Sequence, residues 1–128
     1  MESAKGKLGV MCVGLGAVTT TFITGVLMTR KGLAKPVGSM TQYDKIRVGR
    51  GENKKYLHYG EIVPLTDLKD IVFGAWDVYP ANAFESAVNA EVLKAKDILP
   101  VEDELKAIKP MKAAFDRDYA KRLDGNNV

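Results

Sequence analysis

Residues 10–26, "VMCVGLGAVTTTFITGV", decide how the rest of this chain is read. No charged residue stands between Lys7 and Arg30, a run of 22 (positions 8 to 29). That length is about enough to cross a bilayer as a helix. Lys5 and Lys7 before it and Arg30 and Lys31 after it also imitate the flanks of a signal peptide or a membrane span. Thr19, Thr20, Thr21, Thr24 and Thr29, with Gly9, Gly14, Gly16 and Gly25, dilute its apolar character and favour a different division. "KLGVMCVG" reads as a short buried strand, "AVTTTFITGVLMTRKG" as a helix ending at Gly32, and "GLG" as the turn between them.

A strand, a tight glycine turn and a helix form the phosphate-holding corner of a dinucleotide fold, where the helix N-terminus points at a pyrophosphate. Gly14 allows the turn, and Gly16 lets the backbone approach phosphates without a Cβ in the way. The third glycine of G-x-G-x-x-G is replaced by Thr19, and no acid lies about twenty residues further on to hold a ribose. An ordinary strand–helix turn of an α/β protein has the same appearance, so this segment alone leaves both readings open.

Outward from that corner, "LAKPVGSMTQYDKIRVGRGENKKYLHYGEIVPL" departs from a simple βαβ rhythm. Its β-like pieces "KIRVG" and "LHYGEIV" flank a polar turn near Gly51 to Lys55 and predict an inserted hairpin. Lys45, Arg47, Arg50, Lys54 and Lys55 lie near Tyr43, Tyr56 and Tyr59, but a net charge of +3 argues for a solvated hairpin rather than a nucleic-acid surface. His58, the single histidine, has no local partner for a metal and reads as a surface or structural residue. "PLTDLKD" predicts a helical turn capped by Thr66, and "IVFGAW" a strand buried on both faces. Asp77 follows at the carboxyl end of that strand, where doubly wound sheets bind ligands. It is a candidate for a cofactor hydroxyl or, equally, a turn aspartate ahead of Pro80.

"NAFESAVNAEVLKAKDIL" predicts one helix capped by Asn82, with Phe84, Ala87, Val88, Val92 and Leu93 on its inner side and Pro100 as its breaker. "VEDELKAIKP" predicts a short helix whose first-turn acids Glu102, Asp103 and Glu104 complement the helix dipole. "MKAAFDRDYAKRL" and the turn-like "DGNNV" show no closing element. With 46% hydrophobic and 27% charged residues the chain has globular proportions, which excludes wholesale disorder. Cys12 is its only cysteine, so an internal disulfide and a cysteine-built zinc site are excluded, and a reducing cytoplasm suits it. No Walker loop, no Ser-His-Asp arrangement and no metal-ligand cluster is found.

Taken together, "GKLGVMCVGLGAVTTTFITGV", "GLAKPVGSMTQ", "VFGAWDVYPANAFESAV" and "FDRDYAKRLDGNNV" closely resemble the beginning of inositol-3-phosphate synthases, most of all a bacterial branch. "GSMTQ" (Gly38 to Gln42) followed at a distance by "GAWD" (Gly74 to Asp77) is the most specific part, and the likeness runs from about Lys7 to Val128. The resemblance implies an α/β fold: a partial Rossmann-like NAD-binding domain over residues 1–128, with an inserted β-hairpin excursion, truncated before the catalytic domain. It implies an NAD-dependent isomerase, cytoplasmic and tetrameric, that turns glucose 6-phosphate into inositol 3-phosphate by internal oxidation, aldol cyclisation and re-reduction, without membrane or nucleic-acid partners.

Carried over residue by residue, Gly14, Leu15, Gly16, Ala17 and Val18 match the family's phosphate-cradling loop. Asp77 matches the acid on the adenosine ribose, which resolves the acid missing earlier in the chain. Eukaryotic members carry two asparagines where Val18 and Thr19 stand, so contacts by those amides do not transfer. The lysines that stabilise the family's reaction intermediates belong to a downstream part that these residues do not include, so no catalytic residue is assigned. A non-catalytic NAD-binding remnant and another NAD-dependent oxidoreductase are the alternatives.

Overall fold

The computed structural model describes residues 5–128. The first strand, β1 (Leu8–Val13), leads through the glycine turn into α1 (Ala17–Arg30), as the sequence predicts. It is not the buried strand expected: Val10 and Cys12 are half-buried, while Met11 and Val13 on its open face are 49% and 92% exposed. Thr20, Ile23, Thr24 and Leu27 recur at i, i+3, i+4 and i+7, and all four are buried against the rest of the domain. The threonines are tolerated inside a helix because hydroxyls bond back to its own carbonyls: Thr20 to Gly16 and Ala17, Thr21 to Ala17, Thr29 to Gly25. The Thr24 Oγ1 is instead buried without a partner.

Gly32 ends the helix at φ +70. Its N–H donates to the Thr29 carbonyl while that of Leu33 reaches back to Met28, which satisfies two carbonyls that the helix end leaves free. At 14 residues α1 is short of a bilayer's thickness, and among the described residues no helix is long and apolar enough to cross a membrane.

An excursion follows. It carries the short helix α2 (Met40–Tyr43) and an antiparallel hairpin of β2 (Lys45–Val48) and β3 (Lys55–His58), paired from Lys45↔His58 to Val48↔Lys55. The inserted hairpin is therefore present, but its second strand is "KYLH" rather than "LHYGEIV". The Glu61 carboxylate accepts the His58 N–H at 2.7 Å and winds Tyr59–Glu61 into a 3-10 turn instead. His58 is exposed, as expected. The turn at Leu68–Asp70 is capped by Asp67, which accepts the Lys69 N–H, and not by Thr66.

The chain then enters β4 (Ile71–Asp77), which lies parallel to β1 from Leu8↔Ile71 to Val13↔Trp76, and a two-residue β5 (Met111–Lys112) pairs parallel with its end. Sheet order is β1-β4-β5. Between β4 and β5 run α3 (Ala83–Ala90), α4 (Ala95–Ile98) and α5 (Glu102–Ala107). Asn82 caps α3 as predicted, exchanging hydrogen bonds with Glu85 in both directions.

The single long helix expected over "NAFESAVNAEVLKAKDIL" is broken. Glu91 takes a left-handed φ of 54 and closes α3, and Val88 and Val92 are 50% and 57% exposed instead of facing inward. The break has a packing reason. It returns Leu93 and Ile98, and with them Val101 and Leu105, to the core of Ile23, Leu27, Ala75, Ala83 and Ala87 that a straight helix would leave behind.

"IVFGAW" is likewise not buried on both faces. Ala75 and Phe73 point into the helical layer with Cys12, whereas Val72 is 48% and Trp76 37% exposed. The reason is topological: α1, α3 and α5 pack on one another over one face of the sheet, and among the described residues nothing covers the other.

Two basic residues tie the end of α1 down. Arg30 donates to the carbonyls of Leu68 and Ile71 and lies over the Phe73 ring. Lys31 donates to the Pro100 carbonyl and pairs with Glu104 at 2.6 Å, which holds that carboxyl below its ordinary range.

Candidate cofactor-binding site

The site begins where β1 ends. Gly14 turns the chain at φ +99, a region that side chains with a Cβ rarely adopt, and donates its N–H to the Trp76 carbonyl at 2.7 Å. That turn drives Leu15 into the core, at 2% exposure, and aims its N–H at Asp77, whose Oδ2 accepts it at 2.6 Å. Residues 62 positions apart in sequence thus share one hydrogen bond.

Gly16 comes next, with φ −77 and ψ −171, as the N-cap of α1. Any residue adopts that conformation. A Cβ on Gly16 would meet nothing within 4 Å, so packing does not demand glycine there either. What the missing Cβ leaves is open space in front of a helix start that has no side-chain cap and no acid in its first turn. The first amides of a helix lack internal acceptors and carry the positive end of its dipole, so this corner is built to receive an anion.

Asp77 stands at the other side of the corner. Besides the Leu15 N–H, it accepts the Tyr79 N–H on Oδ1 at 2.9 Å. It is therefore a turn aspartate and a partner of the glycine loop at once. An ionised carboxylate has about four acceptor positions, so two of them remain for a ligand hydroxyl.

These residues line a cleft of about 1100 Å³ at the carboxyl ends of β1 and β4, the place where open parallel sheets take ligands. Residues 13–19 form one wall and residues 76–79 another, with Ser86, Asn89 and Ala90 of α3 between them. Ala113, Ala114, Phe115 and Leu123 close the far side. Gly14, Leu15, Gly16, Ala17, Val18 and Asp77 all meet in this cleft. Among the described residues Asp77 is the only charged side chain lining it, so an anion there would be held by backbone amides and not by cations. No group of metal-ligating side chains is found among the described residues.

Two features escaped the sequence reading. One is the far wall after β5; the other is Asn127, whose Nδ2 donates to the carbonyls of Asp77 and Met111 at 2.8 and 3.2 Å. The only sequence signal for either was the Gly-Asn-Asn of the turn-like "DGNNV".

Donor groups, open space at Gly16 and a carboxylate at the strand end fit a dinucleotide. The family model described as myo-inositol-1-phosphate synthase matches residues 8–128. The chain belongs to the myo-inositol-1-phosphate synthase family.

The matched model is that of the family's NAD-binding domain, and NAD is the cofactor of this domain. Among curated relatives, inositol-3-phosphate synthase 1 of Bacteroides thetaiotaomicron is 56% identical over 129 residues, covering 100% of this chain. A synthase of the same name from Oryza sativa subsp. japonica is 31% identical and covers 95%. The chain spans 29% and 27% of the lengths of these two synthases. The solved inositol-3-phosphate synthase of Caenorhabditis elegans superposes with a TM-score of 0.80 over 98% of this chain and 28% of that one. At 21% identity this likeness speaks for the fold, a parallel α/β domain of the synthase.

Proposed function

We propose that residues 1–128 are the N-terminal part of an NAD-binding domain in a polypeptide that converts glucose 6-phosphate to 1D-myo-inositol 3-phosphate. The first four of them lie outside the described residues. The observation that carries the proposal is Gly16, a glycine required by neither conformation nor packing, at an uncapped helix start opening on the cleft.

The amides of Gly16, Ala17 and Val18 would hold the pyrophosphate, with the Gly14 turn and Leu15 shaping the loop. Asp77 would accept from the adenosine ribose through its two remaining acceptor positions. NAD held there would supply reversible hydride transfer, which suits a conversion without net redox change. The chain's own part is to bind and orient. Among the described residues Asp77 is the only charged side chain lining the cleft, its carboxylate is already held by two backbone amides, and the one other titratable group there is the phenol of Tyr79.

Acid–base and charge-stabilising groups therefore come from elsewhere in the polypeptide, and residues 1–128 alone are catalytically silent. The working form is a cytoplasmic homotetramer without nucleic-acid or membrane partners. Phosphorus NMR of the protein at its native length, given glucose 6-phosphate and a trace of NAD, is expected to show many turnovers per NAD and no accumulating NADH. Stoichiometric NADH would point to another oxidoreductase. Product from residues 1–128 alone would contradict the division of labour.

A further inference from the structure

We propose that Asn127 is a positioning residue for the cofactor site, acting through Asp77; this rests on the reading of Asp77 as the ribose acceptor. β4 and β5 pair over only two residues, Trp76↔Met111 and Asp77↔Lys112, and then part. Residues 125–127 fill the gap. The Asn127 N–H donates to the Val78 carbonyl at 2.8 Å, and its own carbonyl accepts the Ala113 N–H at 2.9 Å. Its side-chain amide bridges the carbonyls of Asp77 and Met111. Both partners are acceptors, so only the NH₂ end of the amide fits them, and both its hydrogens are used.

Asp77 is thereby gripped from two sides. Leu15 and Tyr79 hold its carboxylate, while Asn127 holds its carbonyl and the next one along. A carboxylate that must meet a hydroxyl within hydrogen-bond tolerance needs its backbone fixed as well as its side chain. Gly125 makes the approach possible, because a Cβ there would collide with the Val78 carbonyl oxygen. The same strap also holds Ala113, a residue of the far wall, through the Ala113 N–H to Asn127 carbonyl bond.

The test is a double-mutant cycle on NAD affinity, measured by calorimetry with the protein at its native length. Asn127→Ala is expected to weaken NAD about tenfold in the wild-type background, the size of one lost hydrogen bond. In an Asp77→Ala background it is expected to change affinity by less than about twofold, because the group it positions is gone. Asn127→Asp, which keeps the size but replaces the donor by an acceptor facing two carbonyls, is expected to follow the same pattern and serves if the alanine variant melts early. Equal losses in both backgrounds would mean a general structural role and overturn the proposal. An unchanged affinity of folded Asn127→Ala would do the same. Wild-type affinity in Asp77→Ala alone would instead overturn the ribose assignment on which it rests.

Discussion

Gly16→Val is expected to abolish NAD binding, with an affinity loss of at least about a hundredfold, while the protein remains folded. The size follows from geometry: two methyl groups on a Cβ would fill the space where the phosphates approach the helix start, and losing two hydrogen bonds to a charged group at about 1.5 kcal/mol each amounts to about a hundredfold. The fold should tolerate the change. Gly16 already has an extended backbone that valine adopts, and no described atom lies within 4 Å of the new Cβ. Valine is a poorer N-cap than glycine, which limits the stability loss to about 1 kcal/mol. Calorimetric titration paired with urea unfolding separates the two effects. Wild-type affinity in the folded variant would remove the pyrophosphate from this corner.

Asp77→Ala carries the second large effect, and here binding and stability fall together. The substitution removes a charge-assisted acceptor for the ribose, with an expected loss of about 10- to 100-fold in NAD affinity. It also strips the acceptor from the Leu15 and Tyr79 N–H groups, which should lower stability by about 2 kcal/mol. Asp77→Asn separates the two roles. Its one remaining oxygen keeps an acceptor for a single backbone N–H, so it should recover part of the stability, while losing the charge that favours a hydroxyl donor. Equal NAD affinity in the wild type and both variants would leave Asp77 as a turn residue only.

The corner itself was legible in the sequence because its physics is local. A glycine turned at positive φ, a glycine with open space before it and a helix start without a cap are properties of neighbouring residues. Gly14 and Gly16 therefore stand as the residue types predict, with Gly32 closing the helix they begin. Asp77 was legible in a different way: "IVFGAW" marks a strand, and an acid at its carboxyl end is informative only if that strand lies beside β1. The register Val13↔Trp76 makes it so.

What stayed hidden depends on the rest of the molecule. The hydrophobicity of "IVFGAW" suits two covered faces, yet Val72 and Trp76 are open here because α1, α3 and α5 pack together over one side of the sheet. Glu91 breaks a helix that its neighbours would continue, and only the burial of Leu93, Ile98, Val101 and Leu105 explains why. β5 is two residues long and leaves no periodic trace. Asn127 is one polar residue in a turn-like tail, and its meaning comes from two carbonyls that belong to other strands.

Hydrogen–deuterium exchange on the native-length protein, with and without NAD, would test the central assignment most directly. Protection on adding NAD is expected within residues 1–128 at two stretches, 14–19 and 76–79, where the loop amides and the Asp77 turn meet the cofactor. NAD binding that leaves both stretches exchanging as in the free protein would contradict the assignment of the cleft.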